Sequence, residues 1–363
     1  MNLRISNTLK SQLSKIIWIT VGWTFISVFY VLIVYSELFR LERDVSNVDL
    51  WLHIKGSLMT GIIAGIIGGG VVVFFWEKWL RTKKYGSSLW SMLWTYIVID
   101  FMVEIPGGLF VGSSELGLPF YHARVWQSVL SSTVSMNGLI NTLFWLLVVL
   151  GTLIVLQVND KYGPGVFLDF LLGKYFHPKR EERIFMFMDL RSSTSIAEKL
   201  GEKRYFNFLK DIFQHSTASI LDAKGEIYQY VGDEIVISWK MHDGVDNANC
   251  LNCFFEIQEA LRLKTSYYKE SYDGIVPEFK AGLHYGYVMA GEIGVVKRDI
   301  VFSGDVLNTT ARIQQKCNEL GVNILLSNYL LDKLKLQNGT YEPKKIGDME
   351  LRGKEQKVML YTL

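Results

Sequence analysis

Two carboxylates at the ends of apolar runs are the residues best placed to do chemistry. Asp189 closes the run Ile184–Met188 in IFMFMDLRSST and is followed by the hydroxyls of Ser192, Ser193 and Thr194. Five apolar residues are too few for a helix, so the stretch reads as a buried strand, a tight loop and a helix from Ile196 to Leu200. Thr194 and Ser195 are the expected N-caps. The first free amides of that helix would face Asp189, which sets a cation ligand beside an anion cradle, a place suited to a metal-bound polyphosphate. A plainer reading has Asp189 only capping the helix. Asp233 weighs against it: Gly232-Asp233 separates the alternating runs Ile227–Val231 and Ile235–Trp239, which reads as a hairpin with Asp233 at its tip. Alone, Asp233 would be an ordinary turn residue. Paired with Asp189 it becomes half of a two-carboxylate Mg²⁺ site, because Mg²⁺ takes one or two protein carboxylates and fills its shell with water and phosphate.

The elements that must position this pair follow in order along the second half of the chain. They are a strand at 183–188, helices at 194–200 and 202–222, the hairpin at 226–239, a helix at 246–270 and a strand at 278–285. After them come another strand, an extended arm near 291–303, a helix at 308–319, a strand at 323–327, a short helix and a terminal hairpin near 341–361. Grouped antiparallel strands with helices on one face read as α+β. Asn308 and Arg312, four apart, share a helix face near its N-terminus, for which a solvated surface is the ordinary reading.

Over roughly Arg183–Leu363 the sequence resembles the class III adenylyl/guanylyl (nucleotidyl) cyclases of the membrane-anchored bacterial type. Four blocks carry the resemblance in order: FMFMDLRSST, GEIYQYVGDE, FKAGLHYGYVMAGEIG and SGDVLNTTARIQ. It implies a ferredoxin-like palm domain that acts as a homodimer with composite sites and uses two Mg²⁺ or Mn²⁺ ions per site. Asp189 and Asp233 would be the metal carboxylates, the Leu190 carbonyl a further ligand, and the loop Ser192–Ser193–Thr194 the phosphate cradle. Asn308 would orient the ribose, and Arg312 would stabilise charge on the α-phosphate as the 3′-oxygen attacks. In LRGKEQK, Arg352 and Lys354 fall where the family binds phosphate with lysines; Arg352 departs from that pattern but keeps the charge. The base-reading positions hold Gln229 and Val301, where adenylyl cyclases usually carry Lys and Asp or Thr, and guanylyl cyclases Glu and a small residue. A glutamine amide can pair with either purine edge and Val301 with neither. The expected reaction is ATP to 3′,5′-cyclic AMP and pyrophosphate. GTP is the alternative substrate, and a degenerate nucleotide-binding membrane sensor the alternative role.

The chain has 363 residues, 49% of them hydrophobic, with a formal net charge of +2, a composition that calls for a membrane portion and gives no sign of a nucleic-acid partner. Apolar stretches at Ile16–Tyr35, Gly56–Trp76 and about Ser87–Val103, with a fourth in the later part of the uncharged run Val125–Val158, are each long enough to cross a bilayer. Lys78, Arg81, Lys83 and Lys84 crowd the connector after the second span, and Lys161, Lys174, Lys179, Arg180 and Arg183 follow the fourth. The positive-inside rule then puts both termini in the cytoplasm of a multi-pass protein of the inner (plasma) membrane. The expected organisation is a four-helix transmembrane domain at 1–160, a juxtamembrane linker at 161–182 stopped by Gly163-Pro164-Gly165, and the catalytic domain at 183–363.

Gly61-x-x-x-Gly65-x-x-Gly68 in the second span lets a helix backbone approach closely, within the bundle or across a dimer. Asp100 and Glu104 lie on one face of the third span toward its outer end, where they serve either an unknown effector or a structural partner such as Asn137, Asn141 or a backbone group. The three cysteines suit a reducing cytosol, and Cys250 and Cys253 read as helix-core residues.

Overall fold

The computed structural model describes residues 7–40, 49–76, 79, 85–162, 173–296, 298–334, 336, 341–350 and 357–363. The chain divides into two compact units, with the main boundary in sequence between residues 164 and 165. The juxtamembrane stretch 163–172 and most of the basic connector 77–84 lie outside the described residues.

The first unit is helical: α1 (Asn7–Arg40), α2 (Leu50–Val71), α3 (Tyr85–Leu116), α4 (Ala123–Thr133) and α5 (Met136–Tyr162). Asp49 caps α2 by accepting the Leu52 amide at 3.1 Å, and a π-helical turn at Val72–Trp76 prolongs it. Within these helices Gln12–Glu37, Leu50–Trp76, Trp90–Leu116 and Met136–Asn159 are long and apolar enough to cross a membrane. The glycine face of α2 packs inside the chain, on α1. A Cβ on Gly65 would stand 2.3 Å from the Thr20 Cα, and one on Gly61 2.6 Å from the Thr24 Cα.

The third span departs from the sequence expectation. It continues past Val103 to Leu116, with Glu104 and Pro106 inside it. Glu104 stays inside the helix, where the Asn141 amide of α5 donates to one of its carboxylate oxygens. Asp100 and Glu104 consequently lie near the middle of the apolar stretch Trp90–Leu116, where the sequence had put them toward one end. Asn141, one of the candidate structural partners, pairs with Glu104, while Thr142 and Tyr96 stand on Asp100.

The second unit is an eight-stranded sheet in the order β2-β3-β1-β4-β6-β8-β7, with β5 paired to β4. Its strands are β1 (Lys179–Leu190), β2 (Glu226–Val231), β3 (Glu234–Lys240), β4 (Phe279–Ile293), β5 (Asp299–Ser303), β6 (Ile324–Ser327), β7 (Lys344–Glu350) and β8 (Lys357–Thr362). All described pairings are antiparallel except β4 with β6. Central β1 is covered on both faces, which is why its sequence is a continuous apolar run. Ile184, Met186 and Met188 pack under α7 (Glu202–Asp222) and α9 (Asn249–Arg262), and α6 (Ser193–Leu200) precedes α7. Phe185 and Phe187 point the other way, toward Val306 of α11 (Asp305–Leu320). Helices therefore cover both faces, where grouped strands had suggested one.

The long helix expected at 246–270 is broken. Short α8 (Met241–Val245) and a 3₁₀ turn precede α9, and Asn247 and Ala248 adopt left-handed φ of 51° and 54°. After α9 the chain turns again into α10 (Thr265–Ser271), while α12 (Asn328–Lys333) follows β6. Cys250 and Cys253 are fully buried in the core on the α7–α9 side, and Cys317 is buried on the sheet-facing side of α11.

Candidate active site

Sheet register brings the acidic residues together. Asp189 pairs with Glu234 of β3 on one side and with Lys280 of β4 on the other. Residues directly opposite in an antiparallel sheet project from the same face, and for Asp189 this is the α11 face, two residues on from Phe187. Gly232, at φ 63°, turns the β2–β3 hairpin and leaves Asp233 at its tip. Lys280 Nζ lies 2.9 Å from Asp189 Oδ2, and the Gln314 amide of α11 donates to the same oxygen at 3.1 Å. Gln314 reaches it because α11 lies on the sheet at Gly282, where a Cβ would stand 2.3 Å from the Gln314 backbone nitrogen.

Asp233 lies near enough to Asp189 for the two carboxylates to act on each other electrostatically. Burial, then the neighbouring Asp189 carboxylate, holds the Asp233 carboxyl above the usual range, although the Ser193 hydroxyl pulls the other way. Glu234 is pushed up to about 7 by burial and by the charges of Asp189 and Asp233. The Tyr205 phenol, raised by burial and by Asp233, shares Ser193. One Asp233 oxygen, Oδ2, is buried with no hydrogen-bond partner. Crowded carboxylates, one with an orphaned oxygen and one held by a single ammonium, match the donor set of a hard divalent cation. The Leu190 side chain is 1% exposed in the core, so its carbonyl is the only group it can offer such an ion.

The loop after Asp189 is tighter than its sequence suggested. α6 starts at Ser193, and Ser192 is the N-cap, in the left-handed region at φ 55° with no side-chain cap bond. Thr194 and Ser195 thus lie in the first turn and are not caps. The turn is tight because Arg191 is pinned: its amide donates to Glu278 O at 2.8 Å, and its guanidinium to Val322 O at 2.6 Å and Asn323 Oδ1 at 2.6 Å.

Asn308 is exposed and Arg312 half-buried on α11, whose buried residues are Val306, Thr309, Thr310, Ile313, Gln314 and Cys317. At 100° per residue Asn308 and Arg312 lie on the side of α11 away from the sheet. The face bearing Gln314 serves Asp189 while the opposite face carries the Asn-Arg pair, so the chain does not gather both sets at one point. Gln229 is exposed on β2, next to a bulge, and Val301 is half-buried on β5 opposite Gly291. Their strands are joined through their neighbours, for the Tyr228 and Phe302 rings lie 5.0 Å apart, tilted by 48°, and the Phe302 amide donates to Tyr228 Oη at 3.3 Å. Arg352 and Lys354 lie outside the described residues.

Lys280, Gln314 and Glu234 were not singled out from the sequence. Lys280 had a signal, as the one charge inside the apolar block FKAGLHYG. Gln314 had a weaker one, a polar residue on the apolar stripe of an amphipathic helix.

Residues 177–363 match the family model described as the adenylate and guanylate cyclase catalytic domain. The chain is 37% identical over 285 residues to "Adenylate cyclase 2" of Rhizobium meliloti, covering 78% of this chain and 76% of that protein, so the likeness continues into the helical unit. It is 26% identical over 183 residues to "Adenylate cyclase" of Anabaena cylindrica, 49% of this chain and 36% of that one. In fold, it is similar to a bacterial light-regulated adenylyl cyclase, with a TM-score of 0.50 at 18% identity over 64% of each chain. A catalytic-domain model matched over residues 177–363, with a relative 37% identical over most of both chains, shows that this chain belongs to the adenylate and guanylate cyclase family.

Proposed function

We propose that the protein is a membrane-anchored adenylate cyclase that converts ATP to 3′,5′-cyclic AMP and pyrophosphate in a homodimer with composite sites. The observation that carries this reading is the meeting of Asp189 and Asp233, with one Asp233 oxygen buried and unpartnered. Asp189, Asp233 and the Leu190 carbonyl would hold Mg²⁺ or Mn²⁺. Bound there, the ions supply positive charge to the triphosphate and acidify the attacking hydroxyl.

The chain's own residues do the rest. Ser193 and Thr194, with the free amides at the start of α6, receive phosphate oxygens. Asn308 fixes the ribose so that its 3′-oxygen faces the α-phosphate, and Arg312 holds the charge that grows on that phosphate. Arg352 and Lys354 are assigned to the terminal phosphates. Gln229 hydrogen-bonds the base, beside the apolar wall of Val301.

Two features support a second copy. The Asn-Arg pair faces away from the sheet that bears Asp189 and Asp233, so the partner's surface can complete each site. At the turn between β4 and β5, Ile293, Val295 and Val296 are 60%, 92% and 103% exposed, an apolar group that another protein surface would cover. Basic residues after the second and fourth spans support cytoplasmic termini, which places the catalytic unit where ATP is available. The test is the full-length protein in lipid nanodiscs with ATP or GTP and Mg²⁺ or Mn²⁺. Cyclic AMP and pyrophosphate should form in equal amounts, faster than the GTP reaction by a modest factor. A preference for GTP would overturn the substrate assignment, and no pyrophosphate from either nucleotide would overturn the catalytic one.

A further inference from the structure

The helical unit encloses a cavity of about 60 Å³ between α1, α2, α3 and α5, lined by Trp23, Trp76, Tyr96, Asp100, Glu104 and Trp145 among others. Its polar groups are incompletely paired. Asp100 Oδ2 accepts from Thr142 Oγ1 at 2.8 Å, and Glu104 Oε1 accepts from the Asn141 amide. Tyr96 Oη stands 3.3 Å from Asp100 Oδ1 but 2.6 Å from the Thr142 carbonyl. A hydroxyl has one proton, and the shorter contact takes it, which leaves Asp100 Oδ1 short of a donor. The partners of both acids among the described residues are neutral. A third polar group is also unmatched: Trp76, 3% exposed, has a buried Nε1 with no acceptor.

Two carboxylates without a counter-charge, an indole N–H without an acceptor, and walls of tryptophan and tyrosine define a ligand. Water molecules alone could fill the cavity but would leave the charge uncompensated. An ammonium group brings a positive charge that the two acids share and donates to both, and aromatic faces favour it further. The Trp76 N–H asks for an oxygen on the same molecule. We infer that this cavity is a binding site for the protonated amine of a small amino alcohol, free or as a lipid head group, held by Asp100 and Glu104 with its oxygen on Trp76.

The experiment uses the full-length chain and does not depend on its catalytic reading. Every tryptophan except Trp239 lies in the helical unit, so intrinsic fluorescence reports on it. In phosphatidylcholine nanodiscs, ethanolamine should give a saturable fluorescence change, ethylamine a weaker one, and ethylene glycol or sodium chloride none. Asp100→Asn and Glu104→Gln should each weaken ethanolamine at least tenfold. Trp76→Phe keeps the packing and should weaken ethanolamine while leaving ethylamine unchanged, a check that holds even where an acid variant misfolds. Loss of the ethanolamine response in phosphatidylethanolamine discs would identify the lipid head group as the source, and its persistence would identify the free amine. The inference is overturned if ethanolamine gives no saturable change in either lipid, if ethylene glycol or sodium chloride matches it, or if Trp76→Phe and both acid variants respond as the wild type does.

Discussion

Replacing Lys280 by Met keeps the aliphatic stem and removes the ammonium that sits on Asp189. The side chains are 9% and 24% exposed and 2.9 Å apart, so the gross attraction at an effective dielectric constant of ~20 is roughly 6 kcal/mol. Desolvation of the two ions offsets part of it. Breaking a buried pair by deleting one partner costs about 3–5 kcal/mol, and the remaining exposure of Asp189 with the Gln314 donor sets the expectation near the lower figure. In a unit of this size about 3 kcal/mol corresponds to a fall of roughly 6–12 °C in the unfolding midpoint. The three cysteines are free, buried and confined to the catalytic unit, so a thiol-reactive dye in a thermal ramp of the full-length protein reads that unit alone. Added Mg²⁺ should raise the midpoint of the variant more than that of the wild type, because the cation replaces the missing ammonium. A metal-free midpoint within about 2 °C of the wild type would refute the view that Lys280 balances the acidic cluster.

Gly65→Leu should sharply lower the yield and melting midpoint of the full-length protein, since a Cβ there meets the Thr20 backbone, whereas Gly70→Ala, with nothing within 4 Å, should be silent. Gly282→Ala should push α11 off the sheet and away from Asp189, with a loss of about 2–3 kcal/mol by overpacking and of most cyclase activity; dye melting and nucleotide turnover measure the two. Gln229→Glu should shift preference toward GTP, whose purine edge donates, in a competition assay at equal nucleotide concentrations; an unchanged ratio would mean that Gln229 does not read the base.

Asp189 and Asp233 were legible because each ends a short apolar run, and strand ends and hairpin tips are written in local sequence. Lys280, Gln314 and Glu234 were not marked out, because their role depends on the β1–β3 and β1–β4 registers and on the close approach of α11 at Gly282, which are non-local. The third span was drawn short at Val103, since Glu104 and Pro106 interrupt its hydropathy; the Asn141 hydrogen bond to Glu104 comes from a different helix. The glycines of α2 announced a close contact, and only the packing of Thr20 and Thr24 against Gly65 and Gly61 identified α1 as the partner. The left-handed residues Asn247 and Ala248 carry no glycine to betray them, so the helix break before α9 was invisible. The N-cap at Ser192 is set by Arg191 reaching Val322 and Asn323, a tie that no local capping pattern encodes.

The composite site is tested most directly by mixing two inactive chains. Asp189→Ala and Asn308→Ala are each made full length, shown to be folded by dye melting, and co-reconstituted at equal amounts under conditions that allow exchange. Each variant alone should be nearly inactive as a homodimer. Random pairing in a two-fold dimer makes half the dimers mixed, each with one intact site, so the mixture should recover about a quarter of wild-type cyclic AMP formation. A mixture that forms mixed dimers and stays as inactive as its components would contradict a site shared between two chains.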